Sequence, residues 1–356
     1  MRDSVSTCSD TIPEQRDGFT AGHAREIRHR RKTRRGTHEG ERRVKSILLA
    51  AVAAMALIPA ARAADAYKFA LIPKGMDNPY FDLSRDGCMA EAKKIGVTCI
   101  YKGPATHEPA TEVQIMQDFI TQGVDGIAVS VADADSVTGV IKQARDAKIP
   151  VITFDADAPN SARQAYVGTD NKEMGRELGR QLIKLHPQPA TFATQSGGPA
   201  AQNLNERMAG LYEVLKGAGW TEVKGSPAFC NDDAALAAQQ LSDFATANPD
   251  IGAIIPVGGW ALFAPKAYKG FVDANMDKVK AGKFPLVMPD TLPVELQLLK
   301  DGYATVLVGQ RPNEMGEKAM DMLVSLKKGD KVPAVNMVGL DVVTKDNVDK
   351  FLKAAN

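Results

Sequence analysis

The residue types that most often carry out catalysis are sparse in this 356-residue chain. After residue 63 the histidines are His107 and His186. Each lies within two residues of a proline, and we interpret both as surface histidines in loops. The chain has no Cys-x-x-Cys or His-Glu-x-x-His spacing for zinc, no Gly-x-Ser-x-Gly motif, and no glycine-rich nucleotide motif after a predicted strand. We therefore expect a protein that is not an enzyme and that carries no cofactor and no metal.

Three cysteines follow residue 63, and two of them could form a disulfide. Cys88 falls in a predicted helix and Cys99 in the strand that follows it. Because a helix and the next strand of an α/β unit pack together, a bridge is possible if the Cβ atoms face each other. Two buried free thiols are the alternative. Cys230 has no partner in either case and is expected to be buried rather than reactive.

The elements that must position any site alternate between short apolar strands and amphipathic helices, which is typical of parallel sheets covered by helices. A first series of strands is predicted at Tyr67–Ile72, Val97–Tyr101, Gly126–Val131, Pro150–Phe154 and Gln164–Gly168. A second series is predicted at Thr191–Thr194, Val223–Phe229, Gly252–Val257, Pro285–Met288 and Tyr303–Val308. Helices are predicted between them, the longest at Ala261–Met276. The sequence therefore predicts two similar α/β lobes.

Charge is distributed unevenly along the chain and argues against a nucleic-acid partner. Residues 1–63 contain 13 Lys and Arg against 7 Asp and Glu, which leaves a net charge of −5 on the remaining 293 residues. A nucleic-acid surface needs a basic stripe that neutralises phosphates. The mildly acidic main body does not fit that requirement.

Residues 44–63 have the features of a secretory signal peptide. Lys45 precedes an apolar run from Ile47 to about Ile58, and Ala61-Arg62-Ala63 matches a small-residue cleavage site. Cleavage is expected after Ala63, followed by export of the mature protein. The apolar run is shorter than the roughly 18 to 20 residues that span a bilayer, so a retained membrane helix is the weaker interpretation.

Residues 1–43 are rich in arginine, lack hydrophobic periodicity and are expected to be a disordered basic extension. Three interpretations remain open for this segment. It is an over-long translation start with the true initiator near Val44, a basic arm for nucleic acid, or a twin-arginine export signal at Arg42-Arg43. We favour the first, because a GUG start codon is read as valine inside a frame.

Five short motifs follow one another along the main body of the chain. They are Met76-Asp77-Asn78-Pro79-Tyr80-Phe81, Pro150-Val151-Ile152-Thr153-Phe154-Asp155-Ala156-Asp157, Val167-Gly168-Thr169-Asp170-Asn171, Asn205-Glu206-Arg207 and Gln310-Arg311-Pro312. With these motifs in this order, the chain resembles the periplasmic sugar-binding proteins of ABC transporters. These form the type I group, which includes ribose-, galactose- and glucose-binding proteins. The resemblance covers about residues 66–345. It implies an α/β fold of two Rossmann-like lobes with parallel sheets, joined by three crossover hinge segments, which close on one sugar.

The resemblance also implies where the lobes begin and end. Residues 66–169 plus 311–344 would form the amino-terminal lobe, and residues 170–310 plus 345–356 the carboxy-terminal lobe. The crossovers are expected near Thr169, near Asp290–Leu292 or Gln310, and near Leu340–Lys345.

A set of ligand-binding residues follows from the same resemblance, most of them at the carboxyl ends of strands, where open α/β sheets bind ligands. The set is Asn78, Tyr80, Phe81, Ser130, Asp155, Asp157, Arg207, Trp260, Asp290 and Gln310. These residue types suit a sugar, because carboxylates, amides and a guanidinium bind hydroxyl groups while aromatic rings cover C–H faces. Lys74 also falls at a position that is polar in family sites.

Two departures from the ribose-type pattern bear on the ligand. Ala156 stands where ribose-type proteins carry an arginine, and Gly258-Gly259-Trp260 stands near their strand-end asparagine. We expect the two glycines to leave room for Trp260 to stack on a sugar ring. These differences are more similar to the glucose-type branch, with a pentose, a polyol or a non-sugar ligand still open.

The resemblance implies a solute-binding protein that captures a small sugar and delivers it to an ABC permease in the inner membrane. One alternative is a sensor that presents the same ligand to a chemoreceptor. A second is a sugar-responsive transcriptional repressor, which would require a helix-turn-helix head. Residues 1–43 lack the apolar periodicity of such a head, so the repressor is the weaker alternative.

Overall fold

The computed structural model describes residues 66–354, which contain thirteen strands and eleven α-helices. The basic extension and the signal peptide expected from the sequence lie outside these residues. In the described part, no helix combines the length and the apolar character needed to cross a membrane.

The first lobe is built on six parallel strands. In chain order they are β1 (Lys68–Ile72), β2 (Thr98–Tyr101), β3 (Gly126–Val129), β4 (Val151–Phe154), β5 (Ala165–Thr169) and β12 (Val335–Val338). They lie side by side in the order β12-β5-β4-β3-β1-β2. Consecutive side chains of a strand point to opposite faces of its sheet. Phe69 and Leu71 therefore pack into one core and Ala70 and Ile72 into another, and all four are fully buried.

Helices cover both faces of this sheet. They are α1 (Tyr80–Ile95), α2 (Pro109–Gln122), α3 (Thr138–Asp146) and α10 (Pro312–Lys328). A disulfide joins Cys88 in α1 to Cys99 in β2, with the two Cα atoms 6.1 Å apart. Cys230 is a buried free cysteine, as expected.

The strands of the second lobe form two hydrogen-bonded groups. The first group contains β6 (Thr191–Ser196), β7 (Thr221–Glu222), β8 (Ala228–Phe229) and β9 (Ala253–Pro256), each of the last three running parallel to β6. The second contains β10 (Val287–Pro289), β11 (Val306–Gly309) and β13 (Asp341–Thr344). Strand β13 runs antiparallel to β11 and is an exception to the expected parallel pairing.

The helices of the second lobe enclose one continuous apolar core. They are α4 (Asn171–Leu185), α5 (Gln202–Gly217), α6 (Ala234–Ala247), α7 (Pro265–Ala274), α8 (Met276–Lys280), α9 (Pro293–Lys300) and α11 (Val348–Ala354). A short 3₁₀-helix, Trp260–Phe263, precedes α7. The continuous helix expected over Ala261–Met276 is thus interrupted twice. The first break precedes Pro265, which starts a new helix, and the second lies at Asn275.

The chain passes between the lobes three times. Residue 170 connects β5 to α4, residues 310 and 311 connect β11 to α10, and residues 339 and 340 connect β12 to β13. The predicted α/β fold of two lobes joined by three crossings is therefore confirmed. Of the two positions considered for the second crossing, Gln310 is correct, whereas 290–292 lies inside the second lobe.

The third crossing lies earlier than the expected lobe boundary. Strand β13 pairs with β11, which places residues 341–344 with the second lobe and not with the first. The three crossings also contact one another. Thr169 donates a hydrogen bond to Gln310 Oε1 at 2.8 Å, and Arg311 donates two to the Asp341 carboxylate at 3.0 Å each.

The backbones of helices α4 and α5 lie so close together that a side chain at the contact positions would overlap the other helix. A Cβ atom at Gly175 of α4 would overlap the carbonyl oxygen of Arg207 in α5, and one at Gly210 would overlap that of Lys172. Glycine at these two positions lets the helix backbones touch. The contact fixes the part of α5 from which Arg207 extends.

Candidate functional site

A cavity of about 30 Å³ lies between the two lobes. Its walls come from both lobes and from the second crossing: Lys74, Asn78, Tyr80, Phe81, Asp155, Asn203, Leu204, Arg207, Asp232, Gly258, Gly259, Trp260, Phe263, Asp290 and Gln310. Eight of the ten residues proposed from the sequence are among them. A groove of about 870 Å³ on the side of α1 and α9 shares Tyr80, Asp290 and Gln310 with this cavity, so the two adjoin.

Two carboxylates enter the cavity from the ends of strands. Asp155 follows β4 in the first lobe and Asp290 follows β10 in the second, and both are buried. Asp155 accepts a hydrogen bond from Ser130 Oγ at 2.7 Å. Asp290 accepts one from Gln310 Nε2 at 2.8 Å and one from the Gly259 N–H at 3.1 Å. Their remaining acceptor capacity is available to hydroxyl groups of a ligand.

Arg207 is held in place by three hydrogen bonds and is 2% exposed. Its Nε donates to Asn171 Oδ1 at 2.9 Å, its Nη1 to the Val257 carbonyl at 3.0 Å and its Nη2 to Gln310 Oε1 at 2.7 Å. A guanidinium has five N–H donors in one plane. Two donors therefore remain, and the three bonds fix the direction in which they point.

Gln310 connects the second crossing to the polar groups of the cavity. Its Oε1 accepts from Thr169 and Arg207, and its Nε2 donates to Asp290. The amide therefore joins the first crossing, the second crossing and the side chains of Arg207 and Asp290. Its position depends on the geometry of both crossings.

Aromatic rings form the apolar part of the walls. The rings of Tyr80 and Phe81 pack edge to face with their centroids 5.2 Å apart, and Trp260 is 4% exposed. A Cβ atom at Gly258 would overlap the Trp260 indole, so this glycine makes the expected room. Gly259 does not, because the space beside it is taken by the Glu295 carboxylate. Stacking surfaces of this kind suit the C–H faces of a sugar.

Asn78 lies at the start of α1. Its Oδ1 accepts a hydrogen bond from the Tyr80 backbone N–H at 3.0 Å. Asn78 also lines the cavity. Asn78 thus has two roles. It accepts a backbone hydrogen bond at the start of α1, and it forms part of the cavity wall.

Two residues proposed as ligand contacts do not line the cavity. Ser130 lies behind Asp155 and donates to it, which makes it a support for that carboxylate. Asp157 forms an ion pair with Arg163 and accepts from Thr153 Oγ1 at 2.5 Å. The proposal of Asp157 as a direct contact is therefore not supported, because the chain turns away from the cavity after Asp155, which has a left-handed backbone with φ 57°.

Some polar residues of the cavity wall lie where the surfaces of the two lobes face each other, and the sequence pattern does not predict them. Lys74 Nζ donates to Asn203 Oδ1 at 2.9 Å and lies 4.0 Å from Asp155 Oδ2. This bond joins the two lobes. Asn203 and Asp232 were not proposed, since only the meeting of the lobes brings them to the site.

His107 is not the surface residue expected from its proline-flanked loop. Its side chain is 9% exposed and its Nδ1 lies 3.6 Å from Asp232 Oδ2 of the second lobe. The sequence pattern contains no signal for this position, because the loop is covered by a part of the chain more than a hundred residues away.

Burial shifts the pKa of carboxyl groups around the cavity. Loss of solvent raises the pKa of Asp290, while Arg207, the Gln310 amide and the Gly259 N–H oppose the rise. Burial, with the nearby Asp290 charge, raises the pKa of Glu295 well above its usual range. Within residues 66–354 no group of three His, Cys, Asp or Glu side chains could hold a metal ion.

Comparison with known proteins places these features in a family. A family model described as a periplasmic binding protein domain matches residues 69–331. The ribose import binding protein RbsB of Salmonella typhimurium is 28% identical over 302 residues, which is 84% of this chain and 97% of that protein.

Solved structures agree with this match. An ABC transporter solute binding protein from Burkholderia graminis, in complex with D-arabinose, is 33% identical with a TM-score of 0.74, covering 80% of this chain and 97% of that one. GanP, a glucose-galactose binding protein from Geobacillus stearothermophilus, is 30% identical with a TM-score of 0.71, covering 80% and 99%. With two α/β lobes around a polar and aromatic cavity, and a family match over most of its length, this chain belongs to the periplasmic binding proteins.

Proposed function

We propose that this protein binds one small sugar, a pentose or a hexose, between its lobes and delivers it to an ABC permease. The observation that carries the proposal is the convergence of Asp155, Arg207 and Asp290 on one cavity walled by Tyr80 and Trp260. Carboxylates accept from sugar hydroxyls, the guanidinium donates to them, and the rings cover the C–H faces. The named relatives bind ribose, D-arabinose, or glucose and galactose, which supports this ligand class.

The place of action that fits this function is the periplasm. The family is one of periplasmic binding proteins. Residues 44–63 would direct export, with cleavage after Ala63. Amino-terminal sequencing of the protein recovered from the periplasm tests this part, and a mature start far from residue 64 would contradict it.

Ligand binding is tested with the full-length chain by isothermal titration calorimetry. The panel contains D-arabinose, D-ribose, D-glucose, D-galactose and myo-inositol, with L-leucine as a non-sugar control. We expect saturable binding of one sugar per chain and a thermal stabilisation that follows RT ln(1+[L]/Kd), about 2.7 kcal/mol at 100 times Kd. A chain that binds no sugar, or binds L-leucine instead, would overturn the proposal. Loss of uptake of the bound sugar on deletion of the gene tests delivery.

A further inference from the structure

His107 extends from the first lobe into a niche of the second. It belongs to the loop between β2 and α2, and its imidazole Nδ1 faces Asp232 Oδ2 at 3.6 Å. Both side chains are 9% exposed. The distance is longer than a hydrogen bond, so the two groups face each other across the lobes without forming one.

The second lobe has the shape needed to receive this side chain. A Cβ atom at Gly198 would lie 2.6 Å from His107 Nε2, and one at Gly197 would overlap Asp232 Oδ1. A residue with a side chain at either position would displace the imidazole or the carboxylate. The Gly197-Gly198 pair after β6 therefore provides the niche for both groups.

Asp232 faces the ligand cavity as well as His107. It lines the cavity, and its backbone has a left-handed conformation with φ 65°, which costs free energy in a non-glycine residue. Within residues 66–354, Asp232 Oδ1 and His107 Nδ1 are both buried and have no hydrogen-bond partner. A buried carboxylate oxygen without a partner is unfavourable, and a ligand hydroxyl would satisfy it.

We propose that His107 is a positioning residue for ligand capture, which holds the Asp232 carboxylate toward the ligand from the opposite lobe and makes closure weaken in acid. The proposal rests on the proposed function, since it requires a ligand between the lobes. The proposal adds a pH-dependent contact between the lobes to that function. His107 makes this contact although it does not line the cavity.

The sign of the pH effect follows from the groups that face the imidazole. Burial and the Lys74 ammonium lower the pKa of His107, while the charges of Asp232, Asp77 and Asp133 oppose this. When the lobes separate, the imidazole returns to solvent, where its ordinary pKa is about 6.5. The closed state thus binds fewer protons than the open state. Affinity is therefore greatest above that pKa and falls as the pH decreases through it.

The test measures Kd by calorimetry at pH 5.5, 6.5 and 7.5, using the sugar that binds most tightly. The variants are His107→Asn, whose amide nitrogen replaces Nδ1 without titrating, and the matched control His186→Asn, whose histidine contacts the Gln188 carbonyl in a loop. We expect Kd of the wild type and the control to rise about three- to tenfold from pH 7.5 to 5.5. His107→Asn should remain within about threefold of wild type at pH 7.5 and lose that dependence.

A His107→Asn protein that keeps the wild-type pH dependence overturns the proposal. If no sugar binds, the proposed function fails, and the contact is then judged by small-angle X-ray scattering of the unliganded full-length chain. A smaller radius of gyration at pH 7.5 than at 5.5 in the wild type, absent in His107→Asn, supports the contact. A radius that does not change with pH in the wild type overturns it.

Discussion

Asp155 and Asp290 occupy equivalent positions in the two lobes. Asp155 follows the last residue of β4 and donates its backbone N–H to the Val167 carbonyl on β5 at 3.0 Å. Asp290 follows the last residue of β10 and donates in the same way to the Val308 carbonyl on β11 at 2.8 Å. Both have positive φ values, 57° and 69°. Each lobe therefore contributes one carboxylate to the site. In both lobes the left-handed backbone conformation of the aspartate directs its side chain away from the strand that precedes it.

Asp155 and Asp157, two residues apart, should differ sharply in their effect on binding. Asp155→Asn removes the acceptor charge in the cavity, and we expect Kd for the sugar to rise about 10- to 100-fold, as for loss of a hydrogen bond to a charged group. Asp157→Asn disrupts the pair with Arg163 outside the cavity and should leave Kd within about threefold. Calorimetry on both variants checks this, and equal losses of affinity would show that the cavity is not the binding site.

Arg207 should not tolerate replacement by lysine. Lysine keeps the charge but cannot donate at once to Asn171, the Val257 carbonyl and Gln310. We expect Kd to rise about 100-fold or more. Arg176→Lys is the matched control, because Arg176 forms a partly exposed ion pair with Glu213 on the same pair of helices. An Arg207→Lys protein that folds, as shown by circular dichroism, and binds normally would exclude Arg207 from the site.

Trp260 should report ligand binding by its fluorescence. The chain contains two tryptophans, Trp220 and Trp260, and Trp260 lines the cavity while Trp220 packs in the second-lobe core beside His186. Addition of the sugar should change the emission of the wild type and of Trp220→Phe, because the indole environment changes on binding. The change should disappear in Trp260→Phe. A response that follows Trp220 instead would place the ligand elsewhere.

The disulfide between Cys88 and Cys99 should stabilise the first lobe. It closes a loop with a sequence separation of 11 residues. Loop-closure entropy for a loop of this size corresponds to about 3 kcal/mol. The double variant Cys88→Ala/Cys99→Ala should therefore melt several degrees lower, as measured by differential scanning calorimetry. A reductant should lower the melting temperature of the wild type and leave that of the double variant unchanged. A reductant effect of equal size in both would exclude the bridge as its cause.

Glu112 should make stability decrease as the pH rises from about 4.5 to about 8. Its side chain is fully buried behind the loop after β3 and accepts from the Ala132 N–H at 3.1 Å. Burial raises the pKa of Glu112 to about 8. The folded state therefore keeps a proton that the unfolded chain releases near its ordinary pKa, and stability is lost as the pH rises toward 8.

The variant Glu112→Gln keeps the acceptor for Ala132 and removes the titration. Its free energy of unfolding should exceed that of the wild type increasingly from pH 5 to pH 9, by an amount on the order of a few kcal/mol. Urea unfolding at several pH values measures this. Parallel curves for the two proteins would mean that Glu112 does not titrate in this range.

Sequence reasoning located the parts of the site that depend on local structure. Asp155 and Asp290 were proposed from the resemblance to sugar-binding proteins, and each also stands directly after a buried strand, where open α/β sheets bind ligands. Asp232 and His107 could not be found, since each becomes a site residue only where the two lobe surfaces meet. Asn203 was missed for the same reason, because its bond to Lys74 spans the lobes.

The same distinction holds for the fold. The buried strands of the first lobe carry continuous apolar runs and were predicted with small shifts of their ends. Strand β12 was not predicted, because Val335 and Met337 on one face are about half exposed and the polar Asn336 interrupts the apolar run on the other. The residues 223–229 were predicted as one strand, whereas only Ala228–Phe229 pair with β6.

The neighbouring arrangement of the three crossings limits how the lobes can move. Two lobes joined by one segment can rotate about several axes. Two lobes joined by neighbouring, hydrogen-bonded segments rotate mainly about the line along which those segments lie. Thr169 bound to Gln310, and Arg311 bound to Asp341, hold these segments in such a row. We therefore expect the parts of the site that carry Asp155 and Asp290 to meet in the same register whenever the lobes close. Two separate proteins lose orientational entropy when they associate. The two lobes of this chain have already lost that entropy on folding, because the crossings fix their relative orientation.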